Sequence, residues 1–192
     1  MSYILQTDSA ETLTLAEVKT FLKLDGNNDY DNILTPKINE VRVLAESLTG
    51  RDFLNKTWKL YLDEWQYCNK ILKSKLQSIT SIAYYQDSVL NTVDVANYYF
   101  TKSNDYSNLH FIDSFNFPDI DDKKQQIEIT FVSGYGATAN FVPQGIKNAM
   151  LSHIEALFEG TCQNETMGSV YAKYKPYTII ENLISFIWFA VV

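Results

Sequence analysis

Four oxygen-bearing residues, Asp25, Asn27, Asp29 and Asp31, sit at alternate positions of one short run, the spacing at which a loop gathers ligands around a calcium ion. The run fails where that chemistry is strictest. The position that needs a sharp glycine turn is Tyr30, and the one that should supply a bidentate glutamate is Pro36. A turn leading into the acidic start of a helix accounts for the same residues. The only imidazoles, His110 and His153, are far apart and have no Cys, Glu or His at metal-ligand spacing. His153 falls on an apolar helical face, the place of a core or interface histidine. Cys68 and Cys162 belong to no CxxC or CxxH pattern, so the sequence predicts two free thiols in a reducing compartment. Gly134-Tyr135-Gly136 lacks the third glycine and the Lys-Ser/Thr of a phosphate loop and reads as the permissive end of a strand. No G-x-S-x-G elbow, paired-carboxylate motif or kinase signature occurs. The expectation is a protein that is not an enzyme and uses no cofactor or metal.

Composition agrees with a packed, non-basic protein. The chain has 192 residues, 16 Lys plus Arg against 23 Asp plus Glu, a net charge of −7, and 46% hydrophobic and 14% aromatic residues. That is enough apolar material for an ordinary core and too many aromatics for disorder. A nucleic-acid reader would usually be basic, with Lys and Arg concentrated on one face. The first residues, Met1 to Asp8, lack the basic and apolar regions of a secretory signal.

Periodicity supplies the elements that would position any site. Thr14 and Glu17 form a capping-box pattern ahead of Leu15, Val18 and Leu22, predicting a helix over about 14–24. Apolar residues at steps of three and four from Ile33 to Leu48, closed by Gly50, predict a second over about 30–49. Pro36 sits inside that pattern and either belongs to its first turn, with Thr35 as cap, or kinks the helix, the first-turn reading being slightly favoured. From residue 53 the period becomes two: Trp58, Leu60 and Leu62 mark the covered face of a strand. Further strands follow at 78–86, 89–93, 98–102, 109–113 and 126–133, with an exposed loop over 113–122, and their short connections predict an antiparallel meander. Pro143 opens a third helix over about 143–159, and 161–175 is polar and turn-rich. The fold class is α+β: a small helical bundle of two N-terminal helices and one C-terminal helix, an inserted antiparallel β-sheet block over about 53–133, and a C-terminal apolar arm, all in a single domain spanning 1–192.

The arm, about 177–192, carries Ile179, Ile180, Leu183, Ile184, Phe186, Ile187, Trp188 and Phe189. It is shorter than a membrane span, contains Glu181 and has no basic anchor beyond, so no membrane partner is expected. An apolar segment of this size must be covered, by the protein's own core or by another subunit. These eight side chains are the candidate partner interface.

The order of local features resembles a known family. Leu13-Thr14-Leu15-Ala16-Glu17-Val18-Lys19-Thr20-Phe21-Leu22-Lys23-Leu24, then Asp29-Tyr30-Asp31-Asn32-Ile33-Leu34, then Ala45-Glu46-Ser47-Leu48-Thr49-Gly50-Arg51 and Lys56-Thr57-Trp58 resemble the head-tail connector (adaptor, or head-completion) family of tailed bacteriophages. Val132-Ser133-Gly134-Tyr135-Gly136, followed by Val142-Pro143-Gln144-Gly145-Ile146-Lys147-Asn148-Ala149, is similar to that family's passage from sheet to last helix. The resemblance covers about residues 13–160; Pro36 and the apolar last sixteen residues depart from it.

The resemblance implies a structural virion protein at the head-tail interface, assembled in the host cytoplasm. Such a protein forms a homo-oligomeric ring, about twelvefold, under the portal protein and carries a head-closure (stopper) or tail protein. DNA passes through the lumen without sequence-specific binding. A ring needs helices with two used faces, one for the core and one for the neighbour. The alternative from the residues alone is a non-enzymatic receptor- or polymer-binding module using Tyr84, Tyr85, Tyr98, Tyr99 and Tyr106, although strand aromatics more often serve cross-strand packing.

Overall fold

The computed structural model describes residues 1–73, 75–103, 106–161 and 164–175. These fall into two compact units: Met1–Ser9 with Asn55–Tyr135, and Ala10–Leu54 with the chain from Gly136 on. The first is all β apart from one short 3-10 turn and the second helical, so the chain is α+β as its periodicity predicts.

Eight strands build the β unit: β1 (Ser2–Thr7), β2 (Lys56–Leu62), β3 (Cys68–Ile71), β4 (Leu76–Gln86), β5 (Val89–Thr92), β6 (Tyr98–Lys102), β7 (Ser107–Phe111) and β8 (Ile127–Ser133). They form a five-stranded sheet in the order β1-β2-β8-β4-β5 and a three-stranded sheet in the order β3-β7-β6, with every pair antiparallel. The expected meander is therefore wrong. β8, last in sequence, lies between β2 and β4, because Ile127, Ile129 and Phe131 are the most apolar strand face and are fully buried there. Leu60, Leu62, Leu76 and Ile82 of the larger sheet share one core with Ile71, Leu109 and Phe111 of the smaller. Asp87 and Ser88, with φ of 52° and 63°, make the left-handed two-residue turn between β4 and β5 that matches strand twist.

The β block is also not purely an insertion, since the N-terminal residues supply its edge strand β1. Nor is 113–122 simply exposed. Phe115 and Phe117 turn inward on Trp65, whose ring also meets Tyr84 and Phe111 at centroid distances of 5.6 Å each. Trp65 Nε1 donates to the Pro118 carbonyl at 2.9 Å, fixing that loop to the core.

Among the described residues four helices build the other unit: α1 (Leu15–Phe21), α2 (Asp31–Thr49), α3 (Gln144–Phe158) and α4 (Asn164–Ala172). The expected capping box is formed: the Thr14 hydroxyl accepts from the Glu17 amide at 3.2 Å, and the Glu17 carboxylate accepts from the Thr14 amide at 2.7 Å. Gly50 ends α2 at φ 65°, in the left-handed region that favours glycine. Pro36 does not sit in the first turn. Tyr30 is the N-cap, so Pro36 lies inside α2, and Thr35 donates its hydroxyl to the Asp31 carbonyl at 2.8 Å instead of capping. α4 occupies residues expected to be turn-rich; it adds a second C-terminal helix and buries Tyr171 completely.

Candidate assembly surfaces

The eight arm side chains, Ile179, Ile180, Leu183, Ile184, Phe186, Ile187, Trp188 and Phe189, lie outside the described residues. Within the described chain, α2 and the outer strands of the larger sheet carry exposed large aliphatic side chains.

α2 is anchored on one side by a buried ion-pair network. The Arg42 side chain is 1% exposed; its Nε donates to Glu11 Oε2 and its Nη1 to Glu46 Oε2, each at 3.0 Å. Glu46 Oε1 accepts from the Phe53 amide at 2.9 Å, and Asn39 Nδ2 donates to Glu11 Oε1 at 2.9 Å. Around this network Leu34, Ile38, Val41 and Ala45 bury the inner face. Ile33 and Leu44, three helical turns apart on one flank of that face, are 48% and 37% exposed, and Val43, on the side opposite it, is 49% exposed. α2 thus has a fixed inner face and exposed large aliphatics outside it.

In the β unit the outermost strands of the larger sheet are β1 and β5. Ile4, Leu5, Val89 and Leu90 are exposed on them. Unpaired backbone groups beside exposed aliphatics are a template for another chain.

The remaining sequence candidates are absorbed into structure. Asp25 Oδ1 accepts from the Thr20 hydroxyl at 2.7 Å, Asn27 Oδ1 caps the Asp29 amide at 2.9 Å, and Asp31 pairs with Lys19 at 2.8 Å. These acids thus shape the turn before α2. His153 is 1% exposed on α3, its Nδ1 3.4 Å from the Tyr171 hydroxyl. Burial lowers its pKa, opposed by the charge of Glu40, while burial raises that of Tyr171. His110 stacks on Tyr99 at 5.0 Å, and its Nε2 lies 3.1 Å from the Thr101 hydroxyl. Gly134 has φ 142°; its amide donates to the Lys75 carbonyl at 3.1 Å and its carbonyl accepts from Gln77 Nε2 at 2.6 Å. Cys68 is a free, exposed thiol. The five tyrosines do not make one platform. Tyr84 packs on Trp65, Tyr85 follows it on β4 and so faces the other side of the sheet, Tyr98 packs on the core, Tyr99 on His110, and Tyr106 lies beneath the Lys70 ammonium.

Sequence reasoning missed the Glu11–Arg42–Glu46 network. The i, i+4 spacing of Arg42 and Glu46 was the available signal, but it does not say that the pair is buried.

No family model matches the sequence, and no curated protein matches it. Solved structures do. The chain has the fold of a protein in the neck of an empty GTA particle, computed with C6 symmetry, at TM-score 0.72 and 15% identity over 90% of this chain and 95% of that one. The same values hold for a chain from the virion of the native gene transfer agent (GTA) particle. A chain from the native GTA neck computed with C12 symmetry matches at TM-score 0.67 and 15% identity, over 90% and 94%. What this chain shares with these neck and virion components is a fold covering both of its units. Among the described residues no helix is long and apolar enough to cross a membrane.

Proposed function

We propose that this chain is a structural neck component of a tailed phage or phage-like particle: a head-tail connector that forms a ring under the portal and carries a head-closure or tail protein. The observation that carries the proposal is the fold shared over 90% of the chain with GTA neck and virion components at TM-scores up to 0.72. The C6 and C12 symmetries of those necks support a ring of about twelve copies. The apolar outer face of α2 supplies a second used helix face, as heterologous ring contacts demand. The whole chain works as one connector domain in the virion after assembly in the host cytoplasm, with DNA passing through the lumen and no catalytic step. A lumen lined by an acidic chain lets the phosphate backbone slide, because like charges do not hold it.

In this reading the arm 177–192 docks on the portal or a neighbouring copy. Its eight large apolar side chains gain about as much on burial as ordering their backbone costs, so one arm alone is near balance. A ring adds effective concentration and turns weak contacts into a stable collar. Co-sedimentation with portal-bearing capsids tests both parts. The full chain is expected to pellet with the heads, and a chain ending at Tyr177 to keep its helical circular dichroism and cooperative melt but stay in the supernatant. A full chain that ignores portal-bearing heads overturns the connector reading. A truncated chain that attaches normally overturns the arm's role, and one that does not fold shows the arm to be core.

A further inference from the structure

The two ends of the β unit carry opposite charge. Strand register fixes which residues share an end. Ser133 lies beside Lys56 and Leu76, whereas Ile127, at the other end of β8, lies beside Leu62 and Tyr84. In the smaller sheet Ile71, Ser107 and Lys102 are cross-strand neighbours. An open groove of about 440 Å³ lined by Lys75, Leu76, Gln77, Lys102 and Ser103 puts them at the Ser133 end.

Lys70, Lys73, Lys75 and Lys102 gather at that end, in a chain whose net charge is −7. Each ammonium lies over an aromatic ring: Lys70 over Tyr106 at 3.9 Å, Lys73 over Trp58 at 3.7 Å, Lys75 over Tyr135 at 5.9 Å and Lys102 over Phe100 at 5.5 Å. A ring face orients a cation and leaves the charges of Lys70, Lys75 and Lys102 uncancelled. Asp8 is at the same end, bound to Lys56 at 2.8 Å.

At the opposite end the exposed charges are mainly carboxylates: Glu64 after β2, Asp87 in the β4–β5 turn, Asp113 after β7, and Asp119 and Asp122 before β8. The segment is tied there by the Asp121 amide, which donates to the Tyr85 carbonyl at 3.1 Å, and by the Ser88 amide, which donates to Asp121 Oδ2 at 3.0 Å. Of the two lysines nearby, Lys124 is turned toward Asp63 at 3.8 Å.

We infer that the lysine end of one copy's β unit docks on the carboxylate end of the next copy's β unit, so that the ring closes head to tail. A polyanion would use the lysine end alone and would meet the field of an acidic chain; a second copy satisfies both ends at once. Two different, complementary patches on one chain make a heterologous contact, and such contacts close into rings when the rotation permits. Unlike charges on the two patches steer the encounter and fix its direction. The inference rests on the connector reading and names the surface that this reading leaves open.

Charge reversal in the full chain tests it, read by sedimentation velocity at low and high salt. The wild type is expected to self-associate in low salt and to dissociate at about 1 M, where charges are screened beyond about 3 Å. Lys75→Glu with Lys102→Glu, and separately Asp119→Lys with Asp122→Lys, should each weaken association at least tenfold. Lys102, Asp119 and Asp122 are exposed and Lys75 is half-buried, and circular dichroism verifies folding. An equimolar mixture of the two variants should recover association, because each then offers the charge the other lacks. A mixture that stays dissociated overturns the inference, as does association indifferent to salt and to both reversals. A wild type that remains monomeric in low salt, or whose lysine end binds a DNA duplex instead of a second copy, overturns it too. None of these results touches co-sedimentation with heads, so failure of the surface and failure of the connector reading remain distinguishable.

Discussion

Removing the Glu46 carboxylate should destabilise the helical unit out of proportion to its size. Glu46 is 8% exposed, and its carboxylate accepts from Arg42 Nη1 at 3.0 Å and from the Phe53 amide at 2.9 Å. Its loss would leave a guanidinium 1% exposed with Glu11, which is 37% exposed and therefore screened by water. Breaking a buried pair from one side costs about 3–5 kcal/mol, because the remaining charge stays desolvated. The surviving contact to Glu11 places Glu46→Ala near the lower bound, about 3 kcal/mol. With a urea m-value of about 2 kcal/mol/M, the midpoint falls by roughly 1.5 M. Ellipticity at 222 nm is the appropriate signal, since the described tryptophans, Trp58 and Trp65, both lie in the β unit. Glu46→Gln separates the two roles, keeping an acceptor for the Phe53 amide while deleting the charge. Arg42→Met combined with Glu46→Leu removes both charges and should recover much of the loss, as apolar replacements of buried ion pairs do. A Glu46→Ala midpoint within about 0.3 M of wild type would refute the reasoning, because a screened pair costs under about 1 kcal/mol.

Thr14→Ala removes the hydroxyl that accepts the Glu17 amide and should cost about 1 kcal/mol by urea titration at 222 nm, while Thr14→Ser should be nearly neutral. Burial lowers the pKa of His153 below the unfolded value of about 6.5, so the unfolded chain binds the extra proton. The stability this contributes is complete above pH 6.5 and is lost as the pH falls below it. The urea midpoint should therefore drop between pH 7.5 and 5.5 in the wild type and drop less in His153→Leu; equal slopes would show that His153 does not titrate on unfolding. Deleting Met1–Ser9 removes the Tyr3 edge contact to Phe131 at 6.2 Å, the Tyr3 hydroxyl that accepts the Leu72 amide at 3.0 Å, and the Asp8–Lys56 pair. It also bares the edge of β2. Tryptophan fluorescence should melt earlier by on the order of 2 kcal/mol and light scattering should reveal aggregation; an unchanged, monodisperse chain would show β1 to be dispensable.

What the sequence disclosed is what short-range physics controls. The Thr14–Glu17 box, the Gly50 stop, α2 within one residue of its expected start, and α3 after Pro143 all depend on neighbours within one or two turns. β1 and β3 were invisible for the opposite reason. Ser2–Thr7 is only half-buried or exposed, and the polar Cys68–Ile71 segment buries just Asn69 and Ile71, so neither displays a strong apolar alternation. Both are strands because partners far along the chain, β2 and β7, offer a free edge. The meander failed likewise: pairing β2 with β8 joins Lys56 to Ser133, and no local pattern encodes it. α4 has a glycine at 168 and a weak apolar stripe, and its stability depends on burying Tyr171. Of the candidate assembly surfaces, the apolar composition of the arm was legible and the exposed side of α2 was half legible. Ile33 could be assigned to either side of the helix until Leu34 and Ile38 were found buried. The polarity of the β unit was not legible, because its lysines and carboxylates are interleaved along the sequence and are sorted only by strand register.

That sorting connects the fold to its proposed use. The chain passes between its two units three times, after Ser9, before Asn55 and after Tyr135. Register places all three passages together: Thr7 is paired with Thr57, Thr57 with Val132, and Lys56 with Ser133. The helical pair α1–α2 is thus spliced between two hydrogen-bonded neighbours, β1 and β2, whose pairing closes a loop of some 45 residues and brings its ends to one place. Strand pairing supplies that closure through long-range contacts, and α3 then leaves from the adjacent strand, β8. The lysine cluster stands at this same end, beside Gly134 and Tyr135, while the carboxylates lie where β2, β4 and β7 run out. The strand ends beside Lys56, Leu76 and Ser133 therefore share an end with positive charge, and the turns beyond Leu62, Gln86 and Phe111 collect the negative charge. A charge polarity built this way cannot drift by a local register slip, because a one-residue shift of β8 would also expose Ile127, Ile129 and Phe131. The apolar core that fixes β8 between β2 and β4 thereby fixes which charged residues stand at each end of the β unit.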